Sequence, residues 1–160
     1  MVTIRQASLD SDDDCKNILR LLEEYSLDPM GGNESLPVNS KENLINEMRK
    51  RSTIFVFLAF NDESAAIGLA ITIESFSTFA CSSILNIHDF VISKDYRSKG
   101  IGKKLMNYVC NFAKEKGFAK CTLEVLQGNA PAKGCYKASG FEPYMLSEEI
   151  GICEFWQKKL

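Results

Sequence analysis

The chain has 160 residues, of which 45% are apolar and 25% are charged, and its formal net charge is −2. This length and composition are typical of one globular domain with an ordinary hydrophobic core. The slightly negative charge argues against a general nucleic-acid surface, because phosphate binding draws its affinity from a basic excess. We therefore expect a single domain over residues 1–160 and no nucleic-acid partner.

The cysteines and the first residues of the chain indicate a reducing environment. None of the six cysteines forms a Cys-x-x-Cys pair, and His88 is the only histidine, so the spacing of a zinc site is absent. The N-terminal residues lack the basic region and apolar run of a signal peptide, and no stretch reaches the ~20 apolar residues of a membrane span. We expect reduced thiols in a cytoplasmic protein, with no metal and no membrane partner.

The first half of the chain predicts a strand, two helices and a β-hairpin. Residues 2–7 alternate between apolar and polar, as a strand does. Ser11 and the aspartates after it suit the start of a helix, in which Ile18, Leu22 and Tyr25 recur at helical spacing. Residues 28–33 are rich in turn formers and predict a loop, followed by a helix over about residues 41–51. Strands over residues 53–60 and 65–73 have the spacing of a hairpin.

The second half predicts a long helix among further strands. Residues 84–93 form a mostly apolar strand, and residues 100–116 a helix with one apolar stripe that ends before Gly117. A strand over residues 121–126, a short helix over 130–138 and two closing strands over 141–145 and 152–158 follow. The order βααβββαβαββ predicts an α/β fold, with a mixed, mostly antiparallel twisted sheet of about seven strands and helices on both faces.

The segment between the strand at 84–93 and the long helix predicts an anion site. Gly100 and Gly102 allow the backbone to approach a ligand, and the first amides of a helix have no internal partners. Four basic residues nearby add positive charge, so a diphosphate suits the site. Lys104 and Leu105 stand where a P-loop needs a hydroxyl and a Rossmann motif needs a third glycine, so both of those sites are excluded.

Two motifs resemble the hallmarks of the GNAT superfamily of N-acetyltransferases. Residues 97–102 match its Arg/Gln-x-x-Gly-x-Gly/Ala signature, and residues 129–141 resemble its Asn-x-x-Ala-x-x-x-Tyr-x-x-x-Gly-Phe pattern. The resemblance is close over roughly residues 84–141 and extends to the rest through the order of elements. It implies transfer of acetyl from acetyl-CoA, the co-substrate, directly to a primary amine of a small molecule.

The resemblance also implies which residues bind acetyl-CoA. Backbone groups of Phe90, Val91 and Ile92 would pair with the pantetheine arm as an added strand does. The Asn129 side chain would hydrogen-bond the pantetheine region, or would serve only as a helix cap. The pyrophosphate would bind the loop formed by Arg97, Ser98, Lys99, Gly100, Ile101, Gly102 and Lys103.

Acetylation of an amine requires a base and an acid. An alkylamine with a pKa of about 10.4 is protonated at neutral pH, and the CoA thiol, at roughly 8.5, leaves more readily when an acid assists it. The GNAT position of Tyr136 implies that it lies beside the CoA sulfur as the acid; otherwise it is a core residue packed on Phe141. His88 is the candidate base; otherwise it is buried and hydrogen-bonded across the sheet. Asp89 or a water relay are further candidates, and the Val91 amide could polarise the thioester.

The acceptor side is the least determined part of the sequence. Acidic residues beside a flexible loop at residues 30–33 would favour a cationic amine such as a polyamine, an aminoglycoside or a lysine-like group, or they form a solvated helix face. Phe76 and Phe79 could line the acceptor pocket, cover a subunit interface or pack in the core. A peptide acceptor, a non-catalytic acyl-CoA-binding module and a homodimer stay open. The acidic residues are Glu23, Glu24, Asp28 and Glu34.

Overall fold

A computed structural model describes all 160 residues, and its centre is a five-stranded sheet. The strands lie in chain order, and the first four are antiparallel while the last pair is parallel. This confirms the predicted α/β class and mixed sheet. The strands are β1 (Thr3–Gln6), β2 (Ile54–Phe60), β3 (Ala66–Ser77), β4 (Ser82–Ile92) and β5 (Cys121–Leu123).

Four α-helices cover the sheet, and two of them begin at a side-chain cap. The Ser11 side chain accepts a hydrogen bond from the Asp14 amide at the first helix, and Asn129 accepts one from Ala132 at the last. No helix is both long and apolar enough to cross a membrane. The helices are α1 (Asp12–Ser26), α2 (Val38–Arg49), α3 (Ile101–Glu115) and α4 (Ala130–Ala138), with 3₁₀ turns at Pro29–Gly31 and Lys94–Tyr96.

The two faces of the sheet carry separate clusters of buried side chains. On one face, Ile18 and Leu21 of α1 pack with Leu58 of β2. On the other, Leu105 of α3 packs with Phe57 of β2. Neighbouring β2 residues point to opposite faces because side chains alternate along a strand. The predicted helices on both faces are therefore present.

The prediction of about seven strands is wrong, because the last two do not form. Residues 141–145 and 152–158 contribute only an isolated bridge between Met145 and Ile152. Pro143 removes a backbone donor from the first segment. In the second, Trp156 is 83% exposed and its indole N–H donates to the neighbouring Glu154 carboxylate. A strand needs a partner strand and a core to cover, and this segment has neither.

The sheet also differs from the prediction at the turn between β3 and β4. β3 extends to Ser77 and β4 begins at Ser82, so the ten residues left between the predicted strands at 65–73 and 84–93 are reduced to a short turn. Phe76 and Phe79 lie at this turn with 61% and 104% of their surface exposed. They do not pack in the core.

β4 carries a bulge and an open edge. Ile87 lies opposite Thr72 and Asp89 lies opposite Ile71, so His88 has no partner across the β3–β4 pair. On its other side, β4 pairs with β5 only as far as Ile87, although β4 continues to Ile92. The two strands separate from His88 onward and leave the edge of β4 free.

Candidate active site

The register of β4 determines which backbone groups face the open edge. The Ser93 amide donates to the Ile67 carbonyl on β3 at 2.9 Å. Because hydrogen-bonded and non-bonded pairs alternate in an antiparallel ladder, Val91 also directs its backbone groups toward β3. Phe90 and Ile92 direct theirs to the free edge. The sequence-based suggestion that the Val91 amide polarises the thioester therefore does not match this register, and the available strand amides are those of Phe90 and Ile92.

The loop after β4 presents a row of unpaired backbone amides. None of the six N–H groups from Ser98 to Lys103 donates to a backbone carbonyl, and the first one that does is Lys104, to Gly100 at 3.2 Å. Ser98 and Gly100 both have left-handed backbone conformations, with φ of 59° and 75°. Such alternation turns successive N–H groups toward one point, and the positive end of α3 adds to the field. The loop has the features of a phosphate site.

The two glycines of the loop serve different purposes. Gly100 needs its positive φ and has open space around it. At Gly102, an added Cβ would lie 3.1 Å from the Cys135 Sγ atom and 3.7 Å from the Phe90 ring. Gly102 therefore lets the start of α3 pack closely on α4 and β4.

The basic side chains of the loop are not all free to bind a phosphate. Arg97 donates from Nε to the Ile92 carbonyl at 3.0 Å and from Nη1 to the Asp28 carboxylate at 2.8 Å. Lys99 donates to the Asp95 carbonyl at 2.8 Å and lies over the Tyr96 ring. Lys103 is exposed at the first turn of α3. The predicted role of Arg97 at the pyrophosphate is therefore limited by its protein partners.

Tyr136 on α4 lies beside the open edge. Its ring centroid is 6.0 Å from that of Phe90 and 6.3 Å from that of Phe141. Burial raises the pKa of Tyr136 to about 12, so the phenol is protonated at neutral pH. Its environment combines the predicted packing on Phe141 with a position next to a predicted pantetheine-binding residue.

His88 and Asp89 have different environments although they are neighbours. His88 is exposed at the bulge, so it is not the buried histidine of the alternative prediction. Asp89 is half-buried, and its carboxylate accepts no hydrogen bond that would lower its pKa. Burial raises the pKa of Asp89, and the nearby His88 partly opposes this effect. An unpaired, desolvated carboxylate is a better proton acceptor than an exposed one.

Tyr25 of α1 is a site residue that sequence reasoning missed. It packs against the cluster that contains Ile71, and Ile71 is the β3 partner of Asp89. Burial raises the pKa of Tyr25, and the negative charge of Asp89 raises it further. Tyr25 also adds to the raised pKa of Tyr136. Tyr25 therefore lies near enough to both Asp89 and Tyr136 for charge to couple their pKa values. The position of Tyr25 just before a glycine-rich loop was the only signal in the sequence.

Three of the four acidic residues expected on the acceptor side already accept hydrogen bonds from other residues of the chain. Glu23 accepts from Ser35 at 2.6 Å and from Lys41 at 3.0 Å. Glu24 and Asp28 accept from residues 93, 94 and 97. The Met30 amide and then the Arg97 guanidinium lower the pKa of Asp28. These carboxylates hold α1 in place and do not form a free acidic patch.

Asn129 caps α4 through its side-chain oxygen, which accepts from the Ala132 amide at 3.2 Å. The cap uses the oxygen and leaves the NH₂ group as a donor. The predicted cap is therefore present, and it is compatible with a ligand contact.

A comparison with known proteins identifies the family. Residues 18–141 match the family described as Acetyltransferase (GNAT) family. The chain belongs to the GNAT family. Enzymes of this family use acetyl-CoA, for which the loop at 98–103 and the edge of β4 have suitable groups.

Individual GNAT relatives match over shorter stretches. The chain is 42% identical to streptothricin acetyltransferase from Streptomyces lavendulae over 57 residues. These residues are 36% of this chain and 30% of that protein. It is 34% identical to thialysine N-epsilon-acetyltransferase from Bos taurus over 74 residues. These residues are 46% of this chain and 43% of that protein. The matches thus span less than half of either relative.

A solved GNAT structure matches over almost the whole chain. An aminoglycoside acetyltransferase from an uncultured soil metagenomic sample, in complex with trehalose, has a TM-score of 0.75. The alignment covers 99% of this chain and 97% of that one at 20% identity. At this identity the likeness shows that the fold is shared.

Proposed function

We propose that this GNAT protein is an acetyl-CoA-dependent N-acetyltransferase that acetylates a primary amine of a small molecule directly. The observation that carries the proposal is the row of six unpaired amides at Ser98–Lys103, placed directly beside the free edge of β4. Two relatives are named for acceptors of this kind, streptothricin and thialysine. The family, the loop and the relatives support the same activity.

The site supports a defined path for acetyl-CoA. The pyrophosphate would bind the amides of Ser98–Lys103, and the pantetheine arm would run along β4 from Ile92 toward the bulge. The amides of Phe90 and Ile92 and the side-chain NH₂ of Asn129 would hydrogen-bond it. The thioester would then lie between Tyr136 and Asp89.

The proposed reaction is a direct transfer. The amine nitrogen attacks the thioester carbonyl carbon, the C–S bond breaks, and the amine proton passes to a base. Asp89 is supported as this base because it is half-buried and unpaired on the face that α1 covers. His88, exposed beside it, is the alternative base.

Tyr136 assists the departure of the sulfur. Its pKa of about 12 makes it a weaker acid than a thiol of roughly 8.5. Its main contribution is therefore a hydrogen bond to the negative charge that develops on the sulfur, and CoA leaves as thiolate or thiol according to pH. This refines the predicted role of Tyr136 as a general acid.

The direct test is release of free thiol from acetyl-CoA across a panel of small primary amines and N-terminal peptides, with acetyl-CoA binding measured by calorimetry. We expect turnover on at least one small amine. Turnover restricted to peptides would favour a peptide acetyltransferase instead. Binding without turnover on any acceptor would favour a non-catalytic acyl-CoA-binding module.

A further inference from the structure

Residues 28–34, here called the acceptor loop, are bound to the loop that precedes the phosphate site. The Asp28 carboxylate accepts from Arg97 Nη1 at 2.8 Å, and the same guanidinium donates through Nε to the Ile92 carbonyl at 3.0 Å. Arg97 directly precedes the unpaired amides that begin at Ser98. One side chain thus joins the acceptor side, the end of β4 and the start of the phosphate site.

The acceptor loop has a fixed shape, contrary to the expectation that it is flexible. The Asp28 carbonyl accepts from the Gly31 and Asn33 amides at 2.8 and 3.1 Å, and the Asp28 carboxylate accepts from the Met30 amide at 2.9 Å. A Cβ atom on Gly31 would collide with the Tyr25 carbonyl oxygen, so the loop lies directly on the last turn of α1. The loop and Tyr25 therefore keep a common position.

A second connection holds the same end of α1 independently. Glu24 accepts from the Ser93 hydroxyl at 2.7 Å and from the Lys94 amide at 2.8 Å. This connection does not involve Asp28 or Arg97. Loss of the Asp28–Arg97 ion pair should therefore shift the acceptor loop without releasing α1 from the sheet.

We propose that Asp28 is a positioning residue, which acts through Arg97 to hold the acceptor loop and Tyr25 at the correct distance from bound acetyl-CoA. The inference rests on the proposed acetyltransferase function. In this proposal the side chain of Arg97, the first residue of the motif, holds the acceptor loop through Asp28. The backbone amides from Ser98 onward bind the phosphates. Small displacements of a positioned reactant are costly in catalysis, so the acceptor should be affected more than the cofactor.

The test is Asp28→Asn, which removes the charge but keeps an oxygen for the Met30 amide. We expect the KM for the acceptor amine to rise about 5- to 20-fold, on the scale of ordinary coupling between two sites. The Kd for acetyl-CoA should stay within about 2-fold. Glu47→Gln is the matched control, because Glu47 in the last turn of α2 forms ion pairs with Lys50 and Arg51 and contacts none of the residues proposed for the site. It should change neither constant.

Arg97→Gln and the double variant complete the experiment. If the two residues act as a unit, the double variant should raise the acceptor KM no more than the larger of the single changes. Additive effects, or a wild-type KM for Asp28→Asn, would overturn the proposal.

Hydrogen exchange separates this inference from the proposed function. In Asp28→Asn the Gly31 and Asn33 amides should exchange at least about 10-fold faster than in the wild type, whether or not an acceptor is known. If the wild type acetylates no amine, the proposed function fails. The hydrogen-exchange comparison still tests whether the Asp28–Arg97 ion pair holds the acceptor loop. Unchanged exchange at both amides would refute it.

Discussion

Replacing Asp89 by asparagine should lower activity and raise stability together. Burial raises the pKa of Asp89 above its ordinary value of 3.8, so the ionised carboxylate costs stability in the folded state. That cost is fully present above the raised pKa and disappears as the pH falls toward 3.8. Asp89→Asn should therefore stabilise the protein at pH 7 by about 0.5–1 kcal/mol, or roughly 1–4 °C in Tm, and should give no gain at low pH.

The activity of Asp89→Asn should change in the opposite direction. Loss of a general base lowers the rate by about 100-fold or more, because water must take the amine proton. The acid limb of the kcat/KM profile, which reports the free enzyme's base, should vanish with the carboxylate. The acetyl-CoA Kd should stay within about 2-fold, since Asp89 is not one of the groups proposed to bind the pyrophosphate or the pantetheine arm.

The assay compares Asp89→Asn with His88→Asn across pH, using thiol release for rate and thermal unfolding for stability. If Asp89 is the base, His88→Asn should reduce kcat by less than about 3-fold. Wild-type kcat for Asp89→Asn would refute the assignment, and a large loss confined to His88→Asn would transfer the role to His88. A fall in Tm for Asp89→Asn at pH 7 would contradict the reasoning from burial.

Three further predictions concern Tyr136, Gly102 and the buried Asp14. Tyr136→Phe should lower kcat by about 10- to 100-fold without altering acetyl-CoA affinity measured by calorimetry, since it removes one transition-state hydrogen bond; unchanged kinetics would reject that role. Gly102→Ala should lower Tm, because the new methyl would lie 3.1 Å from Cys135 Sγ, and the double variant with Cys135→Ala should recover much of the loss in thermal unfolding; no recovery would contradict the contact. Asp14→Asn should cost about 2 kcal/mol in urea unfolding, because the buried Asp14 is paired twice at 2.7 Å with Arg5, whose half-exposed side chain weakens the pair. The Arg5 hydrogen bonds lower the pKa of Asp14, so this stability is present above pH 3.8 and should be lost as the pH falls through the lowered value; a wild-type acid transition in Asp14→Asn would refute it.

Features that depend on local chemistry could be predicted from the sequence. The Asn129 cap and the turn at Gly100 follow from what neighbouring residues can do, so both are where the motifs place them. The apolar stripes of α1 and α3 likewise predict which sides of these helices are buried. The approximate positions along the chain of the five strands that form also follow from such local patterns.

Features that depend on distant partners could not be predicted. Residues 152–158 contain apolar and aromatic residues that suit a strand, but they join no edge of the sheet. Glu24 resembles a surface carboxylate in the sequence, and its partner Ser93 is 69 residues away along the chain. The bulge at His88 decides that Asp89 faces α1, and nothing in the sequence marks a bulge there. Tyr25 acquires its place in the site only because α1 packs beside β4.

The most direct test of the account is a titration of ¹⁵N-labelled protein with acetyl-CoA, followed by the backbone amide signals. We predict that the largest shifts fall on the amides of Ser98–Lys103, with a second group at Phe90 and Ile92, because these N–H groups lack partners in the free protein. Saturation of binding with those signals unmoved would contradict the central claim that this loop holds the pyrophosphate.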